Sequence, residues 1–273
     1  MTWIFRSLQL CKLGAVAAFL ATVAAPAGAD AMQDEAEKAL AVAASGITPE
    51  ARQALTRIEG TPRRLLALRG YLRAEDALGS RWSWTQEQID AFEKSPQHAQ
   101  MLAEIDKVTA QFEKRNRGHT LYVNTKVRSL ELQLRRWNEN RTVGRLADEL
   151  YVATRAHLKR TPDAARFARF LHEWFPSTAA PLATPGLSAH GQLRAVDFQV
   201  YARDRVVAGP DISTIGRVWE RQGWARKLSQ AVNEASDRFR GPLRMPDEPW
   251  HFEYLPSGIL QSKLAGIDVA SPR

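Results

Sequence analysis

Two short segments of the chain contain residues that together could bind a metal ion. The segment LSAHGQLRAVDF contains His190 and, seven residues later, Asp197. The segment DEPWHFEY contains Glu248 and, three residues later, His251. Two imidazoles and one carboxylate can hold a zinc ion and leave its fourth position open to water. A further carboxylate beside that water can act as a general base, so the sequence predicts a zinc hydrolase centre, and we interpret it as that of a peptidase.

The spacing of Glu248 and His251 constrains the backbone between them. Three fully extended residues would span about 10 Å, which is too far for a base that acts next to the metal. Pro249 allows the chain to bend at this point. We therefore expect Glu248 to fold back over the ion that His251 binds.

The predicted ligands lie on elements of different kinds. His190 is near the end of residues 176–191, a stretch rich in Pro, Ala, Ser and Gly that is typical of a loop. Asp197 lies within residues 194–207, which alternate and contain β-branched residues, as a strand does. His251 falls in WHFEYLP, a short predicted strand. The pattern predicts a loop ligand followed by two strand ligands.

Upstream of these segments, a strand and a helix meet at Arg128. Residues 120–127, TLYVNTKV, are typical of a strand, and RSLELQLRRWNEN is typical of a helix that Ser129 caps. A side chain at such a junction is held by rigid backbone and can point into a cleft. The alternative is an ordinary surface arginine.

The other predicted elements are helices without a catalytic group. Residues 32–115 are helical and charged, and the simplest expectation is that they pack on the rest of the chain. Residues 143–160, 161–175 and 211–224 predict three further helices, the second capped by Thr161. Three histidines stand alone on predicted helices and are interpreted as structural or solvated: His98, His157 and His172.

Composition narrows the possible classes of protein. The chain has 273 residues, 44% of them hydrophobic and 25% charged, as expected for one or two globular domains. A net charge of +8 suits an anionic partner such as a bacterial wall, nucleic acid or a membrane surface, and no basic run is dense enough to choose among these. We expect no nucleic-acid partner. The single cysteine, Cys11, lies near the N-terminus, which excludes cysteine-based zinc fingers and cysteine peptidases elsewhere in the chain.

Residues 1–31 have the pattern of a secretory signal peptide. Arg6 and Lys12 supply the positive start, LGAVAAFLATVAA is too short to span a membrane comfortably, and small residues follow. Cleavage after Ala29 or Ala31 would release a periplasmic or secreted protein with no stable membrane span. The alternative is an uncleaved N-terminal anchor.

These residues resemble the D-alanyl-D-alanine carboxypeptidase family of zinc peptidases, which includes vancomycin-resistance D,D-peptidases and phage L-alanyl-D-glutamate endolysins. The family pattern is Ser-x-His-x-x-Gly-x-Ala-x-Asp, followed by Glu or Asp-x-x-His in an aromatic strand. The matching residues are Ser188, His190, Ala195, Asp197, Glu248, Trp250 and His251. Leu193 stands at the glycine of the pattern. Upstream, VRSLELQ matches through Arg128, Ser129 and Gln133.

The resemblance covers roughly residues 118–255 and implies an α+β fold of the Hedgehog/D,D-peptidase type, a small antiparallel sheet flanked by helices. Together with the sequence patterns described above, it predicts a signal at 1–31, a helical N-terminal region at 32–115, a zinc peptidase domain at 116–256 and a tail at 257–273.

The resemblance also implies roles for individual residues. His190, Asp197 and His251 would bind Zn2+. Glu248 would take a proton from water and pass it to the leaving amine, and Arg128 would stabilise the oxyanion. Three further residues would contact substrate: Ser188, Ser129 and Gln133.

The expected substrate is a peptidoglycan stem peptide, cut by D-alanyl-D-alanine carboxypeptidase activity. An endopeptidase that cuts an L-alanyl-D-glutamate bond or a cross-link is an open alternative. A second alternative is a zinc-bearing protein that binds the cell wall without catalysis; Glu248 favours catalysis. A nuclease or a purely structural zinc site fits less well, because a structural site normally has four protein ligands.

Overall fold

The computed structural model describes residues 27–161, 163–244 and 247–257. The predicted signal peptide lies mostly outside these residues, as does almost all of the predicted tail at 257–273. Within them the chain combines many helices with a small antiparallel sheet, so the predicted α+β class is confirmed. No helix in this part of the chain is long and apolar enough to cross a membrane.

The α-helices and strands are numbered in chain order. The helices are α1 (Ala27–Ala43), α2 (Pro49–Thr56), α3 (Thr61–Ala74), α4 (Leu78–Arg81), α5 (Gln86–Glu93), α6 (Pro96–Arg115), α7 (Leu130–Glu139), α8 (Arg141–Leu158), α9 (Ala164–Glu173) and α10 (Trp224–Ala235). The strands are β1 (Thr120–Asn124), β2 (Ala195–Ala202), β3 (Arg205–Ala208), β4 (Phe239–Arg240), β5 (Leu243–Arg244), β6 (Asp247–Glu248) and β7 (His251–Tyr254).

The main sheet is antiparallel, with strand order β1-β2-β7-β4 and with β3 also paired to β2. Strands β5 and β6 form a separate two-stranded pair. The register places Asn124, Asp197 and His251 side by side in one row across β1, β2 and β7. Two of the predicted metal ligands are therefore neighbours on adjacent strands.

The two faces of the sheet differ in polarity because successive side chains of a strand point to opposite sides. Val196, Phe198 and Val200 are fully buried in a core formed with α6 and α10. Phe198 makes edge-to-face contacts with Phe239 and Phe252. The alternate residues of β2, which include Asp197, consequently lie on the opposite face.

A second hydrophobic core is formed mainly by helices. It is built by α1 to α4 together with α7, α8 and α9, and includes Leu65, Leu68, Trp137 and Leu146. Each of the two cores draws residues from both predicted segments, 32–115 and 116–256. The N-terminal helices thus pack on the rest of the chain, as expected.

Three sequence-based predictions about local structure need correction. The predicted strand 194–207 is a hairpin that turns after Ala202, where Arg203 adopts a positive φ of 53°. Helix α9 is capped by Asp163 rather than Thr161, since the Asp163 carboxylate accepts a hydrogen bond from the Arg166 amide at 2.9 Å. The predicted helix at 211–224 is a 3₁₀ turn followed by a π-helical turn.

The core behind Asp197 allows a test of the fold. Phe198→Ala should lower the free energy of unfolding by about 3–5 kcal/mol, because it removes a fully buried ring and leaves a cavity in the core. Urea unfolding would measure the change. Phe175→Ala is the matched control, since that side chain is 73% exposed and should lose less than about 1 kcal/mol. Equal losses in the two variants would contradict the assigned core.

Candidate metal centre

Three side chains converge on the sheet face opposite the core of α6 and α10. His190, Asp197 and His251 are all buried, and each offers one ligand atom within 4.8 Å of the others. His190 comes from a single 3₁₀ turn, Ala189–Gln192, whereas Asp197 lies on β2 and His251 on β7. The structure therefore brings together the loop ligand and the two strand ligands expected from the sequence.

Two separations within this cluster are close to those expected around a tetrahedral zinc ion. Asp197 Oδ1 lies 3.1 Å from His251 Nδ1 and 3.4 Å from His190 Nε2. Ligand atoms bonded to zinc at about 2.0–2.2 Å lie about 3.3–3.6 Å apart in a tetrahedron. His190 Nε2 is also buried and makes no hydrogen bond to the described residues. An unpaired buried nitrogen costs free energy unless something binds it, so the donor set fits a metal ion.

The second carboxylate oxygen of Asp197 forms an ion pair with a guanidinium group. Arg128 Nη2 donates a hydrogen bond to Asp197 Oδ2. Burial opposes ionisation of Asp197, but the two imidazoles and Arg128 hold its pKa well below the usual range. Burial also lowers the pKa of His190, which keeps that imidazole neutral and its lone pair available. The cluster thus presents one carboxylate and a neutral imidazole as ligands.

Glu248 lies beside the cluster, as its spacing predicts. The chain turns at residues 249–250, between β6 and β7, and Glu248 Oε2 lies 3.7 Å from His251 Nδ1. Its side chain keeps 18% exposure, so solvent reaches it. Burial raises the pKa of Glu248 and the nearby Asp197 adds to this, while His251 and Arg128 oppose it. A carboxylate with a raised pKa is suited to accept and return a proton near neutral pH.

Arg128 lies at the site, between β1 and α7. Its backbone amide donates to the His190 carbonyl at 3.2 Å, which connects the two segments directly. Its side chain is 32% exposed and is paired with Asp197. Arg128 is therefore not an isolated surface arginine, and its role at a substrate oxyanion stays a prediction.

The other two residues of the VRSLELQ segment make structural contacts. Ser129 caps α7, where its hydroxyl accepts a hydrogen bond from the Leu132 amide at 3.3 Å. Gln133 is buried, and its amide nitrogen donates to the Arg128 carbonyl at 2.6 Å and to Ser83 Oγ at 2.9 Å. Its amide oxygen accepts from the Gly186 backbone at 2.9 Å. These contacts hold Arg128 and the His190 loop in place, and substrate contact by either residue stays a prediction.

Ser188 immediately precedes the 3₁₀ turn that carries His190. Its carbonyl accepts a hydrogen bond from the Gly191 amide at 2.8 Å, and its hydroxyl does not cap the turn. The side chain is half-buried next to the cluster. This position agrees with a role near substrate, which stays a prediction.

Sequence reasoning missed the segment that braces the His190 loop. Gln192 Nε2 donates to the carbonyls of Ser80 at 2.8 Å and Trp82 at 2.7 Å, and the Trp84 amide donates to the Gly191 carbonyl at 2.9 Å. These partners are more than a hundred residues apart, and no local pattern connects them.

Gly191 itself shows how closely the two segments approach. A Cβ at this position would lie 2.1 Å from Ser83 Oγ and 2.8 Å from Gln133 Nε2. Only glycine leaves room for this approach, because any larger residue would collide with two buried hydrogen-bonding groups.

The three histidines that were predicted to be structural or solvated lie outside the cluster. His172 forms an exposed pair with Glu75, with Nε2 3.1 Å from a carboxylate oxygen. His157 stacks on Phe170 with ring centroids 4.4 Å apart. His98 is half-exposed, with Nδ1 3.1 Å from the Glu93 carbonyl.

Comparison of the chain with protein-family models, curated proteins and solved structures found no match. Its function is therefore inferred from the side chains that meet at the site and from the sequence pattern that contains them.

Removal of one ligand tests the metal centre. The purified protein should retain one zinc ion per chain after dialysis, and His190→Ala should lose it, because only two of the three ligands remain. Metal content measured by elemental analysis gives the result. His172→Ala removes an exposed histidine and should keep the ion. Unchanged zinc in His190→Ala would exclude that residue as a ligand.

Proposed function

We propose that the chain is a zinc-dependent peptidase that hydrolyses peptidoglycan stem peptides outside the cytoplasm, as a D-alanyl-D-alanine carboxypeptidase. The buried cluster of His190, Asp197 and His251, with the carboxylate of Glu248 beside it, carries this proposal. Three protein ligands leave a coordination position for reacting groups, whereas structural zinc sites are normally closed by four.

Each side chain at the site has a place in peptide hydrolysis. A zinc ion held by the three ligands would polarise the scissile carbonyl and make the attacking water more acidic. Glu248 accepts the proton of that water and donates it to the leaving amine, a transfer that its raised pKa favours. The guanidinium of Arg128, fixed by Asp197, stabilises the negative charge that develops on the carbonyl oxygen.

The conformation of Leu193 supports the relationship to the D,D-peptidase family. Leu193 stands where the family pattern has glycine, and here its backbone is left-handed, with φ 53° and ψ 19°. Glycine adopts this conformation without steric cost, whereas other residues pay about 1–2 kcal/mol. The Leu193 side chain is buried, and burial of a leucine contributes about 1.5–3 kcal/mol in compensation. Leu193 thus has a backbone conformation that glycine adopts readily.

The position of Glu248 favours catalysis over a purely binding role. A protein that only bound wall peptide would need no carboxylate within reach of the metal ligands and of solvent. Peptidoglycan as the substrate is supported by the family pattern and by the predicted signal peptide.

A digest of pentapeptide-bearing muropeptides tests the proposed activity. Purified protein should remove one alanine from the stem, and a zinc chelator should abolish the reaction; mass spectrometry identifies the product. A cut at another bond would keep the hydrolytic mechanism and identify an endopeptidase. No cleavage by protein that contains one zinc per chain would refute the enzymatic proposal.

Substitution of the general base separates catalysis from metal binding. Glu248→Gln should lower kcat/KM by about 10²–10⁴-fold, because the amide cannot accept the proton, while zinc content stays at one per chain. Steady-state kinetics on the muropeptide substrate would show this. Asp247→Asn changes the adjacent exposed carboxylate and should retain activity. Wild-type turnover in Glu248→Gln would remove Glu248 from the mechanism.

A further inference from the structure

The sheet face that carries the metal ligands opens to solvent beyond Asp197. Along β2, Ala195 and Asp197 are buried, whereas Gln199 and Tyr201 on the same face are partly exposed. On the neighbouring strand, Tyr122 lies opposite Gln199 and is 50% exposed. A continuous surface therefore runs from the metal ligands outward along β1 and β2.

This surface ends in an aromatic platform formed by Tyr122, Gln199, Tyr201 and Val206. The rings of Tyr122 and Tyr201 contact each other with centroids 5.9 Å apart and planes inclined at 55°. Val206 pairs with Tyr201 across β2 and β3 and is 50% exposed. The Gln199 amide and both tyrosine hydroxyls make no hydrogen bond to the described residues. The platform thus combines exposed rings with polar groups that are available to a ligand.

The distance from the metal ligands to the platform matches the length of a stem peptide. Antiparallel strands rise about 3.4 Å per residue, which places Gln199 about 7 Å and Tyr201 about 14 Å from Asp197. In a pentapeptide stem cut before its last residue, four residues separate the scissile bond from the sugar. Four extended residues span about 14 Å. A stem peptide that lay along β2 would bring its sugar over the two tyrosines.

We propose that the aromatic platform is a subsite for the N-acetylated sugar that carries the stem peptide. A pyranose ring has an apolar face of C–H groups that can pack on a tyrosine ring, and the Gln199 amide can pair with an acetamido group. This inference rests on the proposed peptidase function. It adds that the substrate is recognised through its glycan as well as its peptide.

Kinetics with two substrates test the subsite. Wild-type protein should have a higher kcat/KM for a disaccharide-pentapeptide than for the free pentapeptide. Tyr122→Ala and Tyr201→Ala should each reduce this preference about two- to tenfold, the range expected for loss of one aromatic contact. Phe175→Ala removes an exposed ring in the helical region and should leave the preference unchanged. Equal kcat/KM values for the two substrates in wild-type protein would overturn the subsite.

Binding of the peptide-free disaccharide, measured by NMR titration, separates this inference from the proposed function. The disaccharide should shift signals of wild-type protein and of Tyr122→Phe, which keeps the ring, but not of the Tyr122→Ala, Tyr201→Ala double variant. Failure to cleave either substrate would refute the peptidase function. Cleavage without disaccharide binding, or binding that the double variant retains, would refute the sugar subsite alone.

Discussion

The buried negative charge of Asp197 is the constraint on which the candidate site depends. A carboxylate in this position costs several kcal/mol unless opposite charges and hydrogen bonds compensate for its lost hydration. Arg128 donates a hydrogen bond to one carboxylate oxygen of Asp197. The imidazole nitrogens of His190 and His251 lie close to the other oxygen. These partners come from the β1–α7 junction, a 3₁₀ turn and β7. The antiparallel register and the placement of the His190 loop both serve to bring them around one side chain.

Hydrogen bonds from the helical region keep this arrangement in place. Gln133 bonds to the Arg128 carbonyl, to Ser83 and to the Gly186 amide. Gln192, at the far end of the loop, donates to the carbonyls of Ser80 in α4 and of Trp82 directly after it. These bonds satisfy the side-chain amides of Gln133 and Gln192, which are buried and would otherwise lack a partner. The orientation of His190 is thereby set by groups that do not touch the metal position.

The sequence was most informative where chemistry and structure are local. His190, Asp197, Glu248 and His251 could be predicted because their residue types and spacing already specify a ligand set, and the cap at Ser129 depends on neighbours only three residues away. The bracing segment at 80–84 could not be predicted, since its partners are distant in sequence. The exposed part of the sheet face could not be predicted either. The alternation of residue types along β2 assigns side chains to two faces of the sheet, but it does not reveal which face other elements cover.

The origin of the three ligands has a consequence for how the molecule would unfold. His190 belongs to a loop fastened to the helical core, with Leu187 buried in that core, whereas Asp197 and His251 belong to the sheet. A zinc ion bound to all three would act as a cross-link between the two cores. Its binding free energy would be lost when either core unfolds, so the ion would join them into one cooperative unit.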